Sequence, residues 1–537
     1  MLNISQISAV AGCWRIAGDD TVGYAIVRAG KSLLVDCPAG VNTDALITAG
    51  IPEIEVILHT QVQAEHCYEW QSIPGVPVYV AESAREVALV SNEYIRDSKT
   101  VWPPDRGWDT RGEEKYGIGG CVTERPPKQP LNVKSLFAPG DKFYWNDVEL
   151  DVIALPGSGK RAIGFSWLAE NIIFTGDLFH AGGYLVNLYD IERSYGIPSG
   201  YDQMIDSLQK VLELSPRLCL PSTGPIINEV KTDIARLLPL LNDPCRVTPL
   251  RSNEKWALTG FQPIRTIGTR WRENFPGVYQ NCNFGNMILF IDGEGRGLAI
   301  DPDICVWDSW QDSIDAFHAD LDLLEKEAGL KTIERALVTH YHGDHFQNAP
   351  ELRKRYGTRI QATGDVAAAM ARPYDFPYPC MVDWYGFPFD NIVVDDILTY
   401  NQTENWHGAT VTPIHTPGHC NAHTGYAITM NSKRIFCSGD AVQYGAGPIN
   451  ANMPLIYNDT AWPARSLAIT IQRMMAFNPE YILGGHSHTF QDINGSILRD
   501  MLTVQLQAEE NLCQLISDGN TMRAMTPPSY DEHRIEN

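Results

Sequence analysis

Short apolar runs that stop at polar or glycine-rich turns recur along this chain. Ala336-Leu337-Val338-Thr339 is apolar and partly β-branched, the pattern of a buried strand. Ala409 to Ile414, Ile435 to Cys437 and Tyr481 to Leu483 repeat that pattern. Between and after them, Ser313 to Leu324, Ser466 to Phe477 and Ser496 to Ile516 carry apolar residues at helical period, and Phe346 to Leu352 starts a further helix. Strands in alternation with helices predict an α/β fold.

The turns on which these runs stop hold the chemistry. Residues 340–345 read His-Tyr-His-Gly-Asp-His, on a predicted strand-to-helix loop. Neutral imidazoles and a carboxylate gathered there can converge on a borderline cation such as Zn²⁺. His419 ends His415-Thr416-Pro417-Gly418-His419, Asp440 ends Ile435 to Gly439, and His486 follows Gly484-Gly485. Each candidate lies just past a predicted strand, the edge where α/β folds place their sites.

This set resembles the metallo-β-lactamase superfamily, whose pattern is H-x-H-x-D-H followed by His, Asp and His. The resemblance implies an αββα sandwich with one or two metals on strand-end loops between its sheets. Carried over by position, His340, His342 and His419 would bind the first metal. Asp344, His345 and His486 would bind the second, and Asp440 would bridge the two. His415 and His488 are read as neighbours of the ligands or surface residues.

The pattern occurs twice, once intact and once broken. Thr60-Gln61-Val62-Gln63-Ala64-Glu65-His66 aligns with Thr339 to His345, and Ile153 to Ser158 with Ile414 to His419. Ile173 to Asp177 aligns with Ile435 to Asp440, and the interval from Asp177 to Thr223 equals that from Asp440 to His486. Leu33 to Pro38 pairs with Leu298 to Pro302 as an opening element. Two tandem metallo-β-lactamase-like αββα domains packed as a pseudo-dimer are therefore expected. The expected bounds are 1–245 for a degenerate domain, 246–270 for a connection, 271–516 for the intact domain and 517–537 for a polar tail. In the first copy Gln61, Gln63, Ser158 and Thr223 stand at the ligand positions, and amides and hydroxyls are poor partners for Zn²⁺ beside imidazole. Glu65, His66 and Asp177 remain.

Composition narrows the function. A chain of 537 residues suits two domains. Net charge of −23 argues against nucleic acid, whose binders usually show a basic face. No run approaches the apolar length of a membrane span, and the first residues lack the basic start and apolar core of a signal peptide, so the cytoplasm is expected. Twelve cysteines without a C-x-x-C pair read as reduced and mostly buried, Cys420 and Cys437 included. The aromatic, proline-rich loop 373–389 offers Tyr374, Phe376, Trp384 and Tyr385 as substrate contacts. A second long insertion, Glu93 to Pro130, carries Trp102, Arg106, Trp108 and Arg111.

The expected chemistry follows from the resemblance. A metal pair lowers the pKa of a shared water, and the bridging hydroxide attacks a polarised carbonyl or phosphoryl centre. Asp440 would hold both metals and Asp344 would also orient the nucleophile, which makes these two carboxylates the catalytic candidates. The intervals between His345, His419, Asp440 and His486 are similar to those of the lactonase, thioesterase and glyoxalase II branch. True β-lactamases have Cys or Ser where this chain has Asp440. The expectation is a hydrolase of a small or medium ester, lactone or thioester using two divalent ions, zinc first, with manganese or iron as alternatives. Its partner is a small-molecule substrate, with no nucleic acid and no membrane, and a homo-oligomer is left open. Three other readings remain: a mononuclear-iron oxygenase resembling persulfide dioxygenase, a nuclease resembling long-form tRNase Z, and a scaffold with a structural metal.

Overall fold

The structure is a computed structural model. It describes residues 2–18, 21–38, 40–62, 64–67, 73, 75–89, 130–159, 161–185, 201–242, 262–282, 285–303, 310–371, 392–420, 422–444, 449–451, 466–485, 489–492 and 494–515. The chain divides into two compact units, one of Met1–Asp97, Arg106–Arg246 and Glu510–Pro528, the other mainly of Val247–Glu509.

In the second unit an eight-stranded sheet runs in chain order from Arg265–Ile267 to Asp396–Leu398. Its first five strands pair antiparallel, and from Arg296–Ile300 onward they run parallel through helical crossovers. A six-stranded sheet contains Ala409–His415, Thr424–Met430, Lys433–Gly439 and Tyr481–Gly484, the last two strands parallel.

The side-chain period of two sorts each strand between two cores. Ile288, Phe290, Leu298 and Ile300 meet Tyr426, Ile428, Ile435, Cys437 and Leu483 in the space between the sheets. The alternate residues Leu289 and Ala299 face outward onto Phe317, Leu321, Leu352 and Met370 of the helices Trp310–Ala328, Ala349–Tyr356 and Gly364–Ala371. Ala427, Phe436 and Ile482 face the other way, onto Leu467, Ile471, Leu498 and Met501 of Ser466–Phe477 and Ser496–Leu515. The result is helices, sheet, sheet, helices: the αββα sandwich.

The first unit repeats this topology. A seven-stranded sheet runs in order from Asn3–Gln6 to Val133–Phe137, turning parallel from Lys31–Val35 onward. A five-stranded sheet from Lys142–Trp145 to Leu218–Pro221 ends in a parallel pair that matches the parallel pair Lys433–Gly439 and Tyr481–Gly484, with its irregularity at Gly176 where the second unit has Gly439.

Three local expectations shift. The run Ala336–Thr339 ends its strand at Leu337, because the Thr339 amide donates to the Asp301 carboxylate at 2.7 Å instead of continuing the ladder. The helix expected from Phe346 begins at Ala349: residues 343–345 form a 3-10 turn, and Pro350 suits a first turn because its missing N–H has no partner there in any case. Arg265–Ile267, inside the expected connection, is an edge strand paired with Trp271–Phe275. The tail 517–537, the loop 373–389 and the insertion residues Trp102, Arg106, Trp108 and Arg111 lie outside the described residues.

Among the described residues no helix is long and apolar enough to cross a membrane. Cys420 and Cys437 are buried, as expected. Phe290, with no exposed surface between the sheets, tests the inner core. Phe290→Ala is expected to cost about 3–5 kcal/mol, read as a lowered urea midpoint.

Candidate metal centre

Strands that end together bring distant residues to one point. His340, His342 and His345 follow the strand Thr332–Leu337, His419 sits in the turn after Ala409–His415, and Asp440 follows Lys433–Gly439. All are buried, as is Asp344. One ligand atom each from His340, His342 and His419 lie within 4.8 Å of one another, and so do those from His340, His345 and Asp440. His342 Nδ1 and His419 Nε2 face each other at 3.0 Å. Asp440 reaches both sides: Oδ1 is 3.4 Å from His345 Nε2 and Oδ2 is 3.6 Å from His419 Nε2. Asp344 Oδ2 is 3.7 Å from His345 Nε2. His486 lies outside the described residues, as do Tyr374, Phe376, Trp384 and Tyr385.

Behind these side chains stands Asp301, which the sequence marked only as part of a repeated strand ending. It is buried and holds a left-handed backbone at φ 50°, which a non-glycine residue keeps only where its surroundings enforce it. Its carboxylate accepts from the Thr339 amide at 2.7 Å, the Thr339 hydroxyl at 2.8 Å and His345 Nδ1 at 2.9 Å. The Thr339 hydroxyl has one proton, and it goes to Asp301. Thr339 Oγ1 therefore accepts from His340 Nδ1 at 3.0 Å, which leaves His340 Nε2 as the nitrogen with the bare lone pair. That Nε2 is buried and has no hydrogen-bond partner. One carboxylate thus sets the orientation of two histidines.

Charge divides the histidines. Burial holds His340 well below the ordinary histidine range, and the neighbouring His345, His342, His423 and His419 add to the effect. Burial likewise keeps His419 low, Asp440 opposing. For His345 burial acts downward but is outweighed by Asp440, Asp344 and Asp301, which hold it well above the usual range. His340 and His419 are therefore neutral and ready to bind a cation, whereas His345 carries a proton that a cation must displace. A divalent ion fits this donor set: nitrogen and carboxylate oxygen in two overlapping groups, with one lone pair already turned inward.

Two further site residues went unread in the sequence. Asn286 Nδ2 donates to the Asp344 carbonyl at 2.7 Å and lies 3.2 Å from Asp344 Oδ2; it precedes the strand Ile288–Ile291, with no local pattern to mark it. His423 stacks on His340 with ring centroids 4.8 Å apart. Its only signal was a histidine in the turn that carries His419. Gly485 is also required here, since a Cβ would sit 2.1 Å from Asp440 Oδ1.

The first unit builds the same anchor. Asp36, at φ 56°, accepts from the Thr60 amide at 2.9 Å and its hydroxyl at 2.7 Å, with His66 Nδ1 at 3.8 Å. What differs is Asp177. Gln61 Nε2 lies 2.5 Å and His66 Nε2 2.7 Å from its Oδ2, and the Thr223 hydroxyl donates to Oδ1 at 2.8 Å. Gln63 lies outside the described residues, and Ser158 is buried.

Asp301→Asn would turn an amide N–H toward groups that already donate. It is expected to weaken metal binding by roughly 10–100-fold, measured by competition with a chromophoric chelator. Gly485→Ala is expected to displace Asp440 and lower metal affinity in the same assay.

Residues 308–486 match the family model described as the metallo-beta-lactamase superfamily. A metal-dependent hydrolase of Pyrococcus furiosus is 23% identical over 31% of this chain and 72% of its own. A hydroxyacylglutathione hydrolase of Acidiphilium cryptum is 24% identical over 32% of this chain, and the match spans 60% of that relative's length. A beta-lactamase-like protein 2 homolog of Drosophila melanogaster is 27% identical over 33% of this chain and 51% of its own. Among solved structures, a metallo-beta-lactamase from Pontibacter korlensis aligns with a TM-score of 0.33 at 15% identity, covering 45% of this chain and all of that one (100%). The family match begins before the helix Trp310–Ala328 and ends at His486, so it encloses every ligand candidate, and this part of the chain belongs to the metallo-beta-lactamase superfamily.

Proposed function

We propose that the second unit is a metal-dependent hydrolase that cleaves an ester, lactone or thioester of a small or medium organic substrate. The observation that carries this reading is the pair of overlapping ligand groups with His340 in both and Asp440 reaching from one to the other. Bound divalent ions would lower the pKa of a coordinated water toward neutrality and polarise the electrophile. His340, His342 and His419 would hold one ion, and His345, Asp344 and Asp440, with His486, the other. Asp344, which Asn286 contacts at its carbonyl and carboxylate, would orient an incoming water. The hydroxyacylglutathione hydrolase and metal-dependent hydrolase names of the relatives agree with this class of reaction.

The first unit is, on this reading, a degenerate copy of the second, over about 1–245 against 271–516. Its silence has a physical cause. At two ligand positions a lone-pair donor to a metal has been exchanged for a hydrogen-bond donor to the carboxylate: Gln61 and Thr223 both turn their protons onto Asp177. Protein donors meet the charge that a cation meets in an intact site.

Elemental analysis of protein purified without added metal is the first test. About two zinc or manganese ions per chain, with turnover on an ester, lactone and thioester panel, is the expected result; a single iron with oxygen uptake would replace hydrolysis by an oxygenase reaction. Asp440→Ala and His419→Ala should lose turnover with the fold retained. Asp177→Asn and Gln61→Ala should leave metal content unchanged, and a fall in metal at Asp177→Asn would end the claim that the first unit is silent. Because His345 gives up a proton on loading, metal binding should release protons and tighten as pH rises, measurable by calorimetric titration in buffers of different ionisation enthalpy.

A further inference from the structure

We infer that His423 is a positioning residue of the metal centre, a hub that fixes three ligands from behind without binding the ion itself. The inference rests on the reading of His340, His419 and Asp440 as ligands. His423 joins neither ligand group among the described residues. Its ring lies on the face of His340, centroids 4.8 Å apart and planes at 29°. The other rings around His340 meet it at 70°, 49° and 87°, so His423 alone among these backs it face to face.

The backbone ties the same two residues. His340 and His423 form an isolated antiparallel bridge, and the Thr424 amide donates to the Thr339 carbonyl at 2.7 Å. His423 also closes the turn that carries His419. Its carbonyl accepts from the Thr416 amide at 2.9 Å, and its Nδ1 is hydrogen-bonded to Thr416 Oγ1 at 2.7 Å. The third tie is steric: a Cβ on Gly439, the residue before Asp440, would come within 3.0 Å of His423 Nε2. One ring therefore sets the plane of His340, the span of the His419 turn and the approach of the Asp440 backbone.

A merely structural role fits poorly. His423 is wholly buried, and its Nε2 has no hydrogen-bond partner. An unmet buried nitrogen is a standing cost that an apolar ring of the same shape would avoid. What a phenylalanine cannot supply is the Thr416 bond that stops the ring from turning.

The test measures metal binding rather than turnover. Wild type, His423→Ala, His423→Phe and Thr416→Val are compared for zinc affinity by chelator competition and for the visible absorption of the cobalt-loaded form. His423→Ala is expected to weaken zinc by roughly 10–100-fold and to shift the cobalt spectrum. His423→Phe keeps the stack and loses the Thr416 bond, so its loss should be smaller while its thermal stability equals or exceeds that of His423→Ala. If His423→Ala does not fold, Thr416→Val decides: it leaves the ring in place, and a changed cobalt spectrum is required of it. Zinc affinity and cobalt spectrum identical to wild type in the folded variants would overturn the inference alone. Failure of the wild type to bind either ion would overturn the metal-centre reading and this inference with it.

Discussion

The Asp301 carboxylate is the contact on which the second unit's site depends. It takes the amide and hydroxyl of Thr339 and the Nδ1 of His345, and through the Thr339 hydroxyl it also dictates which nitrogen of His340 is bare. Burial pushes this carboxyl up, and His345 and Thr339 work against that rise by favouring its charged form. A buried charge of this kind is tolerable only when its hydrogen bonds are filled, and here each is filled by a group that positions a ligand. The left-handed backbone at Asp301 is part of the same arrangement: the strand Arg296–Ile300 must turn sharply to present the carboxylate under the neighbouring strand end.

The first unit isolates what that anchor does. Asp36 and Thr60 reproduce it, and the glycine facing the threonine recurs as Gly176 and Gly439. The anchor therefore belongs to the fold of each unit and persists where Gln61 and Thr223 surround the carboxylate beside a single histidine, His66. What the imidazoles add is lone pairs directed inward. In the first unit Gln61 and Thr223 instead turn their protons onto the Asp177 carboxylate.

Much of this was legible in the chain. Strand and helix patterns such as Ala409–His415 and Ser466–Phe477 follow from side-chain period, because burial on one face demands it locally. The ligand candidates His340, His342, His345, His419 and Asp440 were legible because each is polar at the end of an apolar run. Asn286 and His423 were not. Asn286 reaches Asp344 from the segment that precedes the strand Ile288–Ile291, and His423 acquires its role only when the antiparallel bridge lays it on His340. Such roles depend on which chain segments become neighbours, and no local period records that.

The sequence by itself determined the α/β layering, the repeated pattern and the residue types able to hold a metal, since these depend on periodicity and side-chain chemistry. Tertiary structure decided which nitrogen of His340 is bare and why His345 holds a proton while His340 and His419 do not. Those properties come from desolvation and from charges a few ångströms away on other strands. Protonation and tautomer are properties of a place in space, and the place exists only once the sheets have closed on it.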